Sequence, residues 1–183
     1  MSKPNWFVGI PIPGVELAAR IPEPPSGIRR FHAQDLHLTV AFLGTCGEER
    51  ARAGWDALVW TVPALDVTFG AIVPMGNPRR YSALSAVLDE GRDAVEAAMT
   101  ASRDAICDAA GAARELRPAK AHVTVARPAR STTDGERRLA LRWASAIDLR
   151  GVRVRLSEAA LYTWNDDRAS RLFRAVATRA FPP

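Results

Sequence analysis

Apolar and polar positions alternate in short runs along the chain, with helical stripes between them, a pattern of mixed α and β structure. Residues 5–12 read as a first strand, and Leu36-His37-Leu38-Thr39-Val40-Ala41-Phe42-Leu43 as a second, closed by Gly44. Ala51, Trp55 and Leu58, spaced by four and three, predict a helix over 48–60. Residues 64–73 and 81–88 read as strands around the Pro74-Met75-Gly76-Asn77-Pro78 turn. The clearest helix covers 91–110, where Val95, Met99, Ser102, Ile106 and Ala109 share one face. A strand over 120–127 ends at Pro128, which has no backbone donor to give a ladder. Thr133 with Glu136 predicts a capping box opening a helix over 134–147, with Leu139 or Ala140, Trp143 and Ile147 as its buried edge. The last strands, 151–163 and 171–180, flank Asn165-Asp166-Asp167 and are expected to pair as a hairpin. The loop candidate Pro22–Gly27 is short and no linker divides the chain, so residues 1–183 are expected to form a single α+β domain.

One echo runs through this pattern. His37-Leu38-Thr39-Val40-Ala41 recurs 85 residues later as His122-Val123-Thr124-Val125-Ala126. An offset of nearly half the chain suggests two similar lobes, each giving one strand to a shared cleft. Side chains two apart on a strand share a face, so His37 and Thr39 stand together about 6–7 Å apart, as do His122 and Thr124. Leu36, Leu38 and Val40, like Val123 and Val125, fall on the opposite face and pack inward. Polar groups beside a strand are costly to bury without partners, and two matching pairs fit a polar cleft. The same parity makes Phe42 a core residue. It also puts Arg127 opposite His122 unless the strand twists or ends there. The third histidine, His32, lies in a predicted loop without a following hydroxyl and reads as an exposed bystander.

Composition changes this picture little. Hydrophobic residues make up 48% and charged residues 25% of the 183, which suits a globular chain. The net charge of +5 favours polyanions such as RNA. Only Lys3 and Lys120 are lysines, however, and an arginine- and alanine-rich chain is also what a GC-rich genome produces. Cys46 and Cys107 are far apart and read as free thiols. The apolar run Trp6–Ile10 is too short for a signal peptide and no segment has the length of a membrane span, so the expected setting is cytoplasmic, away from membranes.

The chemistry of the paired motif is specific. Opening a cyclic phosphate requires a base to take a proton from water and an acid to protonate the departing ribose oxygen. Histidine serves either role near neutral pH. Threonine hydroxyls can hold the phosphoryl oxygens without adding a competing charge. The segments Leu36–Gly44 and Ala121–Arg127 resemble the two signature strands of the two-histidine (2H) phosphoesterase superfamily. The first, ending in Phe-Leu-Gly, is most similar to the RNA 2′,3′-cyclic phosphodiesterases, also called 2′-5′ RNA ligase-like proteins. The likeness runs from Trp6-Phe7-Val8 to Leu172-Phe173-Arg174-Ala175-Val176.

The resemblance implies a bilobal, pseudo-twofold fold with two antiparallel sheets flanking a central cleft and helices outside. It implies hydrolysis of a terminal 2′,3′-cyclic phosphate to a 2′-phosphate, without metal or cofactor, by a monomer acting on RNA or a nucleotide. His37 would protonate O3′ and His122 would activate water, an order that a symmetric site can exchange. Thr39, Thr124 and, matching a frequent family arginine, Arg127 would bind phosphate. Ala121 departs from the family's usual proline before the second histidine.

Other readings stay open. A metallohydrolase needs a tighter ligand set than Asp35 and His37. No phosphate-binding glycine loop or serine triad is present. The same fold could act on another cyclic phosphate or a 2′-5′ linkage, including ligation in reverse, or bind RNA without catalysis.

Overall fold

The computed structural model describes residues 3–183; Met1 and Ser2, the start of the expected 1–183 domain, lie outside the described residues. The chain runs β1 (Trp6–Pro11), α1 (Gly14–Ala19), β2 (Ile28–Arg30), a 3₁₀ turn (Ala33–Asp35), β3 (His37–Gly44) and α2 (Glu48–Asp56). It continues through β4 (Leu65–Met75), β5 (Ala83–Leu88), α3 (Arg92–Ala110), β6 (His122–Pro128) and α4 (Asp134–Ser145). It closes with β7 (Arg153–Leu156), β8 (Glu158–Trp164) and β9 (Phe173–Ala180).

The strands form one continuous antiparallel sheet in the order β7-β4-β5-β6-β3-β1-β8-β9, with β2 added beside β6. The expected α+β lobes are therefore two four-stranded halves joined at a seam. At that seam β3 and β6 share the ladder pair Leu38–Val123. Beyond it the two strands splay, and β2 fills the opening by pairing Ile28, Arg29 and Arg30 with Pro128, Arg127 and Ala126.

Behind the seam, Leu38, Val40, Val123 and Val125 are buried in one core with Val95, Met99 and Ile106 of α3. Each such side chain contributes about 1.5–3 kcal/mol relative to exposure. Helix α3 packs on α2 and on β3, and α4 packs on β4. The predicted capping box is present, with Thr133 and Glu136 exchanging side-chain-to-backbone bonds. Helix α4 buries Ala140 and Ala144, while Leu139 faces outward and Trp143 is only half-buried.

Several boundaries differ for identifiable reasons. The predicted strand 151–163 divides at Ser157, because β7 pairs with β4 in one half and β8 with β1 in the other. The chain changes lobe there. Helix α2 ends at Asp56, four residues short of the predicted end, where Leu58 N–H turns back to the Trp55 carbonyl. Among the described residues no helix is long and apolar enough to cross a membrane.

Gly9 of β1 lies opposite Thr39, and a Cβ there would come within 2.7 Å of the Leu38 carbonyl oxygen. Gly9→Ala must push β1 off β3. It is expected to lower unfolding free energy by about 1–3 kcal/mol in urea denaturation. An unchanged midpoint would show that the strands are not held this closely.

Candidate active site

Extending the Leu38–Val123 register by one residue each way sets His37 opposite Thr124 and Thr39 opposite His122. All four project from the face away from the core, since Leu38 and Val123 between them are fully buried. The result is a square of two histidines and two threonines on opposite diagonals, drawn from residues 85 positions apart. The sequence parity of His37, Thr39, His122 and Thr124 is thus realised, and one seam brings them together.

The two imidazoles are oriented in the same way. His37 Nδ1 bonds the carbonyl of Asp35 at 2.7 Å, and His122 Nδ1 bonds the carbonyl of Lys120 at 2.6 Å. A carbonyl only accepts, so each Nδ1 carries a hydrogen, which leaves Nε2 as the free ring nitrogen. Neighbouring strands fix the rest. Ser85 Oγ, opposite Thr124 on β5, lies 3.3 Å from the Thr124 hydroxyl.

His37 also sits in an aromatic box, stacked on Phe7 at 4.6 Å, edge-on to Phe173 at 5.4 Å and tilted to Tyr162 at 5.5 Å. Burial among these rings lowers its pKa to about 4, against a partial upward pull from the Asp35 carbonyl. Burial lowers His122 as well, and the nearby cations of Lys120, Arg117 and Arg127 add to that effect. Both rings are therefore neutral at pH 7.

Arg127 and Phe42 stand where simple alternation would not put them. On β3, Gly9 pairs with Thr39 but Val8 with Ala41, so Val40 is an extra, bulged residue. On β6, Ser85 pairs with Thr124 but Leu84 with Ala126, so Val125 is the matching bulge. Each bulge turns two successive side chains into the core and returns the next to the cleft. Arg127 consequently joins Thr39, His122 and Thr124 in lining a cleft of about 640 Å³. Phe42, expected in the core, is 56% exposed and lines the same cleft. Arg127 lies over the Phe31 ring at 5.5 Å, which holds its guanidinium beside the square.

Asp35 is a further residue that the sequence pattern did not single out as part of the site. It is 2% exposed, and its carboxylate accepts from Leu172 N–H and Phe173 N–H at 2.9–3.0 Å while its carbonyl holds His37. It ties the start of β9, and with it the Phe173 wall, to the histidine. Arg103 and Lys120 add positive charge along the cleft, where Arg117 is paired with Glu115. Among the described residues no three His, Cys, Asp or Glu side chains converge as a metal-binding group. Cys46 and Cys107 are free thiols.

No protein-family model matches the chain, and no curated protein matches it in sequence. Its fold is nevertheless shared with solved structures. E. coli LigT complexed with 3′-AMP aligns over 100% of both chains with a TM-score of 0.72 and 19% identity. A crystal structure of a phosphoesterase aligns equally, at 0.72 and 19% over 100% of both chains. A protein of Thermus thermophilus aligns over 97% of both chains at 0.65 and 18%. The chain has the curled antiparallel fold seen in E. coli LigT.

Removing the Asp35 carboxylate leaves two backbone donors without an acceptor. Asp35→Ala is expected to destabilise the protein by about 2–3 kcal/mol in urea unfolding, whereas Asp35→Asn, which keeps one acceptor oxygen, costs less. Equal stability of the three proteins would contradict the anchoring role.

Proposed function

We propose that the protein is a phosphodiesterase that opens RNA 2′,3′-cyclic phosphate ends to 2′-phosphomonoesters without a metal, working as a monomer in the cytoplasm. The observation that carries this reading is the square at the seam, with two identically hydrogen-bonded imidazoles on one diagonal. Thr39 and Thr124 hydroxyls and the Arg127 guanidinium grip the non-bridging oxygens, where charge persists through the transition state. One histidine takes a proton from water as its oxygen attacks phosphorus. The other gives a proton to O3′ as the P–O3′ bond breaks. The resemblance noted in the sequence makes His37 the acid and His122 the base, and the twofold arrangement lets the roles exchange in the reverse direction. A phosphate anion between the rings favours their protonated forms and offsets the depression that burial imposes.

Phe42, returned to the cleft by the Val40 bulge, offers a ring on which a nucleobase can stack. Binding of phosphate-bearing nucleotides is supported by the solved relatives of this fold: E. coli LigT has been crystallised with phosphate, 3′-AMP, ATP and NADP+.

The test is turnover of an RNA ending in a 2′,3′-cyclic phosphate in the presence of a strong chelator, with the product isomer identified. A 2′-phosphate is expected, and His37→Ala and His122→Ala are each expected to lower kcat/KM by about 10²–10⁴-fold. Retained RNA affinity with no product from the wild type would instead make this a binding module.

The pH profile is a second check. In the free protein both imidazoles titrate below the ordinary value of 6.5, His37 at about 4. Activity needs one ring protonated and the other neutral, so kcat/KM should be bell-shaped with its maximum below pH 6.5. It should fall as pH rises, because the acid's proton is lost, and fall again toward pH 4, because the base becomes protonated. A rate still climbing above pH 7.5 would contradict this.

A further inference from the structure

A second groove, about 470 Å³, opens between β2 and the loop joining β8 to β9. We propose that it seats the phosphodiester backbone of an RNA strand just upstream of the terminal nucleotide, which makes the protein selective for oligonucleotide ends over mononucleotides. This rests on the reading of the cleft as a phosphodiesterase site.

The sheet itself sets the groove beside that cleft. Arg29 of β2 is the cross-strand partner of Arg127, so their side chains leave the sheet on one face. Two guanidinium groups side by side repel one another unless an anion lies between or beside them. Arg171 faces Arg29 from the far wall, and both line the groove. Among the described residues neither arginine takes part in an ion pair.

The two carboxylates bordering the groove do not neutralise them. Glu23 is directed to Arg30 at 3.8 Å, and Asp35 is occupied by the Leu172 and Phe173 N–H groups. Both free arginines are also held in place. Arg29 Nη2 reaches the Arg168 carbonyl at 3.4 Å, and Arg171 Nε donates to the Phe173 carbonyl at 2.7 Å, leaving its terminal nitrogens to the groove. Pre-positioned guanidinium forks without a counter-ion, one strand away from a phosphate site, match the next phosphate of a polyanion. At the loop, Arg168 lies over the Trp164 ring at 4.1 Å, a cation–aromatic pair suited to an unstacked base.

The experiment compares an oligoribonucleotide ending in a 2′,3′-cyclic phosphate with the corresponding nucleoside 2′,3′-cyclic phosphate. Both are tested on the wild type and on the double variant Arg29→Gln/Arg171→Gln. The wild type should favour the oligonucleotide in kcat/KM by about tenfold or more, and the double variant should lose that preference. Turnover of the mononucleotide should be unchanged, which also shows that the variant folds. The dependence of log affinity on log salt should become shallower by about 1.4 for the oligonucleotide, as expected for two lost single-strand phosphate contacts.

Equal kinetics for the two substrates, or a preference that survives in the variant, would overturn the proposal. If neither substrate is turned over, the phosphodiesterase reading fails, and affinity for the same oligonucleotide still decides the groove. Weakened binding in the double variant supports it, and unchanged binding refutes it.

Discussion

The pairing of Leu38 with Val123 holds the two halves of the sheet together, and most of the site follows from it. Because the pair exists, the registers of β3 and β6 are locked and each histidine comes to face the other strand's threonine. Because the strands diverge on leaving it, a cleft opens on the face where those side chains stand. The Val40 and Val125 bulges complete the arrangement in both strands at the same distance from the histidine. Without them Phe42 and Arg127 would point into the core, and burying an unpaired guanidinium there would be prohibitive. The backbone irregularity is thus what allows a fully apolar inner face and a functional outer face on one short motif.

Electrostatics give this geometry its chemical sense. The cleft carries Arg127, Arg103 and Lys120 along its walls, Arg117 there being paired with Glu115, and the imidazoles of His122 in its lining and of His37 at the seam are both depressed by burial. Such a site is unfavourable for a proton and favourable for an anion. Filling it with a phosphodiester reverses both conditions, since the negative charge offsets the cations and favours protonated histidine. The aromatic box around His37 excludes water from the ring while leaving Nε2 free. Asp35 fastens the wall of that box to the strand that bears the ring.

What can be read from the sequence is local. The period-two alternation around His37 and His122, the stripe of α3 from Val95 to Ile106 and the Thr133 capping box all depend on neighbours in the chain, and the structure has them; Ala109, expected on that stripe, is exposed, and Ala110 is buried instead. The bulges cannot be read, because Val40-Ala41 and Val125-Ala126 carry no glycine or turn residue and look like uninterrupted strand. That is why alternation alone places Phe42 inside and Arg127 on the wrong face. Strand β2 escapes notice because Ile28-Arg29-Arg30 is too short and too charged to show a period; only the opening beside β6 calls it into the sheet. Asp35 is out of reach for another reason. Its partners lie 137 and 138 residues away, and nothing near it in the chain announces a buried carboxylate.

Catalysis of the proposed kind requires His37 and His122 to flank one phosphorus atom. Side-chain ¹⁵N spectra during titration with a nucleoside 2′-monophosphate would read this directly, because the chain has only three histidines and His32 supplies an internal comparison. The Nε2 signals of His37 and His122 should move together, saturate at one common ligand concentration, and show pKa values raised in the complex. A response from one ring alone, or two responses saturating independently, would mean that the rings do not share a phosphate.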